Sequence, residues 1–131
     1  MQTIIDLFEN SVEKYADNPF MWEKRQGKYE PTSYKQTLTQ VEVLANGLLS
    51  IGVKPNDHIA LLSEGRNQWI VSELGILYTG AVNIPLSIKL EANEVLFRIN
   101  HSESRFLVVS NQQSVKIDKI KKDFSHVEKI I

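Results

Sequence analysis

From Ser33 onward the hydrophobic pattern keeps changing period. Stripes of apolar residues three and four apart give way to short apolar runs, and then return. Ile59-Ala60-Leu61-Leu62 and Phe106-Leu107-Val108-Val109 are unbroken runs, too short for helices of their own and typical of strands buried on both faces. Between and around them lie helical stripes, so the order reads helix, strand, repeated to the end. That order calls for a parallel sheet with right-handed crossovers and helices on both faces. The fold class expected is therefore α/β, a doubly wound and mostly parallel sheet. Residues 33–131 form this alternating region and residues 1–32 precede it as a helix and a small β-hairpin, the whole of 1–131 making one subdomain.

The element ends carry their own signals. Thr3 can cap a first helix with Ile4, Phe8, Val12 and Tyr15 on one face, stopped at Asp17-Asn18-Pro19. Residues 20–24 and 28–32 flank Arg25-Gln26-Gly27, where Gly27 suits a hairpin turn. Ser33 and Gln36 form a capping box opening a helix with Tyr34, Leu38, Val41, Leu44 or Ala45, and Leu48 inward, closed by Gly52 and Pro55. Asn67 is expected to cap the next helix, which carries Trp69, Ile70, Leu74, Leu77 and Tyr78 up to Gly80. Then come a strand over 81–86 closed by Pro85, a helix over 91–101, the strand at 106–109, a Lys-rich amphipathic helix over 112–124 and a last strand over 127–131. A chain stopping inside an apolar strand reads as an incomplete part of a larger domain.

A length of 131 residues suits one core, which buries roughly two-thirds of the surface of the unfolded chain. A formal net charge of -1 gives no reason to expect nucleic acid as a partner. The absence of cysteine removes disulfides and thiolate chemistry and fits a cytoplasmic location. The first residues lack a basic leader and read as no secretory signal, and charges interrupt every apolar stretch before it could span a bilayer.

Ligands of open parallel sheets gather at the carboxyl ends of the strands. Three corners qualify: Ser63-Glu64-Gly65-Arg66-Asn67, Leu86-Ser87-Ile88-Lys89 and Ser110-Asn111-Gln112-Gln113. Gly65-Arg66 could hold an anion, although a lone glycine more often lets the chain turn. Gly75 and Gly80 have P-loop spacing, but no Lys-Ser or Lys-Thr follows and Gly75 falls inside a helix. The acidic set of a receiver domain and the Gly-x-Ser-x-Gly elbow of hydrolases are both missing. His58, His101 and His126 lie in separate segments and read as structural or exposed, and Asp57-His58 alone makes no metal site. Asn100-His101-Ser102 matches a glycosylation acceptor only formally. Lys116, Lys119, Lys121 and Lys122 read as a solvated face, with a peripheral membrane contact as the alternative. Ile4, Phe8 and Val12 read as packing onto the domain, the alternatives being a homodimer or a membrane contact. Trp69 reads as core, its other reading being a place beside a ligand tunnel.

Taken in order, several segments resemble the amino-terminal region of long-chain acyl-CoA synthetases, in the adenylate-forming (AMP-binding) superfamily. They are Thr32-Ser33-Tyr34, Val43 through Val53, Asp57 through Glu64, Asn67-Gln68-Trp69, Thr79 through Leu86, Glu94-Val95-Leu96 and Arg105 through Val109. The long-chain branch rests on Glu64-Gly65-Arg66-Asn67-Gln68-Trp69. Two departures stand out: Asn56-Asp57-His58 where the family usually has Gly-Asp and a basic residue, and Gly65 where it has Asn. The resemblance implies a two-step reaction in which a fatty-acid carboxylate attacks ATP in the presence of Mg²⁺ to give an acyl-adenylate, and CoA then takes the acyl group. It also implies that the phosphate loop, the ribose-binding acid and the mobile-domain lysine lie beyond Ile131. No catalytic residue or metal ligand is therefore carried over, and Arg66, Asn67 and Trp69 are the only ligand-proximal candidates. The expectation is a scaffold inactive by itself, partnered by the rest of its own chain. Two alternatives are an adenylation domain for another carboxylate and a free-standing flavodoxin-like binding or regulatory module.

Overall fold

A computed structural model describes all residues, 1–131. Helix α1 (Ile4–Tyr15) starts at Thr3, whose hydroxyl accepts from the Asp6 amide at 3.0 Å while the Asp6 carboxylate accepts from the Thr3 amide at 2.9 Å. Strands β1 (Pro19–Arg25) and β2 (Lys28–Ser33) pair antiparallel around a two-residue turn, Gln26 and Gly27, both at positive φ (48° and 82°). Two left-handed residues match the twist of the flanking strands. The capping box at Ser33 then opens α2 (Tyr34–Ser50), with reciprocal hydrogen bonds of 3.1 and 2.9 Å to Gln36. Gly52, at φ 101°, ends α2 in a Schellman motif: its amide reaches the Leu49 carbonyl, and that of Val53 reaches Leu48.

The remaining elements are β3 (His58–Leu62), α3 (Asn67–Tyr78), β4 (Val82–Leu86), α4 (Ala92–His101), β5 (Phe106–Val109), α5 (Ser114–Asp118) and β6 (Lys129–Ile130). The sheet has the order β4-β3-β5-β6 with every pair parallel. Successive side chains of a strand point to opposite faces, and the cores divide accordingly. Ile59 and Phe106 pack with Leu48 of α2 and Ile76 of α3. Ala60, Leu62 and Leu107 pack on the other face with Val95 and Ile99 of α4 and Ile117 of α5. Helices thus cover both faces, as the alternation requires.

A third core joins Phe8, Met21, Val41, Val71 and Leu74, so that α1 and the hairpin sit on α2 and α3. Phe8, Phe20 and Tyr34 form an aromatic chain with centroids 5.7 and 4.6 Å apart, and Tyr78 donates to Glu9 at 3.0 Å. Burial and that carboxylate both push the Tyr78 hydroxyl pKa well up. Of the expected α1 stripe only Phe8 is buried, while Ile4 is 63% and Tyr15 46% exposed. The amino ends of the strands are fastened by Arg105, which donates to both oxygens of Asp57 (2.8 and 2.7 Å) and to Glu128 (2.7 Å). Burial pushes the Asp57 carboxyl up, but the Lys54 amide and Arg105 outweigh it and hold it below the usual carboxylate range. His58 is structural, its Nδ1 lying 2.7 Å from the Ser102 carbonyl.

Further expectations need correction. The Lys-rich stretch is not one helix: a 3₁₀ turn at Asn111–Gln113, the short α5 and another 3₁₀ turn at Lys121–Asp123 replace it. Ile117 and Ile120 both turn into the core there, and β-branched Val115 and Ile117 add little helix propensity. Pro85 does not close β4 but lies inside it, opposite Leu61, tolerated because β4 is an edge strand. The last strand has two residues rather than five, with Val127 packed against the core instead. Trp69 is only half-buried and belongs to none of the three cores. Thr37, absent from the apolar stripe, is wholly buried because its hydroxyl bonds back to the Ser33 carbonyl at 2.8 Å.

Gly75 lies where α3 meets α2. A Cβ there would come within 2.8 Å of Leu44 Cδ2 and 3.0 Å of its Cγ. Gly75→Val is expected to lower unfolding stability by about 1–3 kcal/mol through overpacking, measured by urea denaturation. Ile4, Leu7, Trp22, Tyr29 and Phe97 remain exposed at 57–69%. Binding of a hydrophobic dye and concentration-dependent sedimentation are expected from that surface, and a clean monomer that leaves the dye dark would contradict the expectation.

Candidate functional site

The three corners lie along the carboxyl edge of the sheet. At the first, Ser63 is buried and Glu64 half-buried, and the chain then turns through exposed Gly65 and Arg66 into α3. Arg66, not Asn67, occupies the cap position, and it makes no side-chain capping bond. The cap acceptor comes from the hairpin instead: the Asn67 amide donates to Glu23 Oε1 of β1 at 3.2 Å. A carboxylate suits the positive end of the helix dipole. The Asn67 side chain is turned away from the sheet edge, buried at 6% exposure with its Nδ2 3.4 Å from Thr32 Oγ1. Displacement of the cap by one residue therefore has a cause, since Asn67 is drawn under the hairpin by Glu23 and Thr32.

Arg66 remains at the edge, 40% exposed at its side chain, its Nε 3.7 Å from Glu64 Oε1. The other oxygen of that carboxylate, Oε2, accepts from Ser110 Oγ at 2.7 Å. Ser110 opens the third corner, and its amide donates to the Leu62 carbonyl at 3.1 Å, which ties the ends of β3 and β5 together. The Ser110 hydroxyl above all, then the residue's own backbone amide, hold the Glu64 carboxyl below its ordinary range. Burial opposes them, and Arg66 and Gln113 add to the lowering. At the second corner Lys116 of α5 donates to the Ile88 and Leu90 carbonyls, at 2.9 and 2.7 Å, and so pins the loop after β4.

Of the candidates, Arg66 joins a polar cluster, Asn67 is engaged by the hairpin, and Trp69 stands half-buried one helical turn along. Glu64 and Ser110 fall in two of the corners expected from the sequence, but their contact does not show there, and Lys116, expected on a solvated face, instead donates to the loop after β4. The signal for the first two is positional, because Ser110 directly follows β5 and Glu64 stands two residues after the end of β3. The corners do not suit a triphosphate: a lone glycine stands beside a carboxylate that would repel it. No group of three or more His, Asp or Glu side chains is arranged to hold a metal ion, and no helix is long and apolar enough to cross a membrane.

A family model described as AMP-binding enzyme matches residues 8–131. The chain is 33% identical over 112 residues to the chloroplastic long-chain-fatty-acid–[acyl-carrier-protein] ligase AEE15 of Arabidopsis thaliana, covering 86% of this chain and 15% of that protein. It is 31% identical to long chain acyl-CoA synthetase 4 of Arabidopsis thaliana, over 86% of this chain and 18% of the relative. It is 30% identical to 4-hydroxybutyrate–CoA ligase 2 of Metallosphaera sedula, over 79% of this chain and 18% of the relative. The chain thus spans less than a fifth of the length of these relatives. Among solved structures, the N-terminal domain of FACL13 from Mycobacterium tuberculosis superposes with a TM-score of 0.90 at 22% identity, covering 100% of this chain and 34% of that one. The anthranilate CoA ligase AuaEII superposes at 0.87 and 20% identity, over 96% of this chain and 24% of that one.

Glu23→Ala, which removes the acceptor at the start of α3, is expected to cost about 0.5–2 kcal/mol in a urea melt. Glu23→Gln, which keeps an acceptor there, should recover most of that loss, and equal losses in the two variants would rule out the capping role.

Proposed function

The chain belongs to the AMP-binding enzyme family, and we propose that it is the scaffold portion of an ATP-dependent fatty-acid:CoA ligase. The observation that carries this reading is the identity of 31–33% to two ligases whose names specify long-chain acids. In the proposed reaction a fatty-acid carboxylate oxygen attacks the α-phosphorus of ATP, the bond to pyrophosphate breaks, and an acyl-adenylate forms. The CoA sulfur then attacks the acyl carbon and AMP leaves.

The developing charge on phosphoryl oxygens needs clustered donors and a cation. The corners of this chain carry no run of glycine amides beside a lysine and no group of side chains for a metal ion, so we propose that ATP, Mg²⁺ and CoA are held by residues outside the stretch. The role proposed for 1–131 is to build a stiff wall: two helix layers fixed to one sheet, whose carboxyl edge faces the remainder of the enzyme. We place that enzyme in the cytoplasm, with exposed Ile4 and Leu7 supporting contact with a second subunit or a membrane surface.

A second reading, that the activated acid is not a fatty acid, is favoured by the 30% identity to a 4-hydroxybutyrate ligase. The dependence of the intact enzyme on acyl-chain length separates the two. For the chain itself, no exchange of labelled pyrophosphate into ATP is expected with any fatty acid, and exchange above a protein-free blank would overturn the scaffold assignment.

A further inference from the structure

In the sheet order β4-β3-β5-β6 the first two strands run one way across the sheet and the chain then reverses past β3 to β5. The gap between the carboxyl ends of β3 and β5 is the topological switch point, the place where open α/β sheets hold ligands. Here that place is filled from within the chain. Ser110 is 3% exposed and its amide is spent on Leu62, so its hydroxyl is aimed into the gap, where it meets Glu64 Oε2 at 2.7 Å. Arg66 Nε approaches the other oxygen from outside, at 3.7 Å. A buried hydroxyl that donates to one oxygen of a carboxylate, with a guanidinium at ion-pair distance from the other, brings together two groups of the kind that hold an oxyanion.

The occupant stands at the edge of the sheet. Glu64 is half-buried there, and a Cβ on neighbouring Gly65 would meet nothing within 4 Å. We propose that the switch point between β3 and β5 is an oxyanion site, built by Ser110 and Arg66 for a carboxylate or phosphate group, and that Glu64 is its internal competitor. A tethered group acts at an effective concentration on the order of millimolar or above. Free anions at lower concentration therefore leave Glu64 in place, and an incoming ligand must first displace it. The site is independent of the ligase reading, since its test uses neither ATP nor acyl transfer.

The test is a titration of backbone amide resonances in the wild-type chain, Glu64→Ala and Glu64→Ala/Ser110→Ala with sodium acetate and with sodium phosphate, ionic strength being held with sodium chloride. Glu64→Ala is expected to show saturable shifts at Ser110 and Arg66 at concentrations at least tenfold lower than wild type. The same anion should raise its thermal midpoint, and the double variant should lose both effects. Tighter saturation by phosphate would assign a phosphate ligand, and tighter saturation by acetate a carboxylate. Should Glu64→Ala fail to fold, Glu64→Gln keeps an acceptor for Ser110 while removing the competing charge, and is titrated in its place. Shifts that are linear and equal in wild type and variant, or that persist in the absence of the Ser110 hydroxyl, would overturn the proposal.

Discussion

Strand β3 has no face that is not covered. Ile59, Ala60, Leu61 and Leu62 are exposed at 0–1%, flanked by β4 on one side and β5 on the other and by helices above and below. A segment in that position must be apolar at every residue, because an uncompensated polar group there carries a desolvation cost of about 1–3 kcal/mol. It also fixes the partition of the molecule. Alternate residues of β3 seed the two cores, and each layer of helices is recruited by one parity of the same short strand.

Legibility in the sequence followed locality. The cap at Thr3, the box at Ser33, the left-handed Gly52 and the unbroken run of β3 are decided within a few residues, and each appears where the sequence places it. What stayed hidden depends on partners far along the chain. Glu23 takes the α3 cap from 44 residues away, and Glu64 meets Ser110 across 46. No periodicity encodes such pairs. Trp69 and the Lys-rich stretch depart from expectation for a related reason. Side-chain type predicts burial on average, but the observed burial of Ile117 and Ile120, and the partial exposure of an indole, depend on which surface the third layer leaves open.

The candidate site shows the same division. Its location at the carboxyl edge follows from strand order alone, whereas its character follows from one carboxylate. With Glu64 turned inward, the corner nearest the expected ligand region carries negative charge between β3 and β5, balanced by Arg66 on the solvent side. That arrangement stiffens the edge and keeps its two loops in register, which suits a supporting wall.

The two rims of the sheet are unlike. Pro85 interrupts the outer rim at β4 with a residue that has no amide hydrogen to give, while β6 at the opposite rim carries no such block. Lateral growth of the sheet is consequently directional. A strand arriving beside β4 would meet a ladder with a rung missing, one arriving beside β6 would not, and fibrillar stacking through both rims at once is disfavoured by the covalent structure of one imino acid.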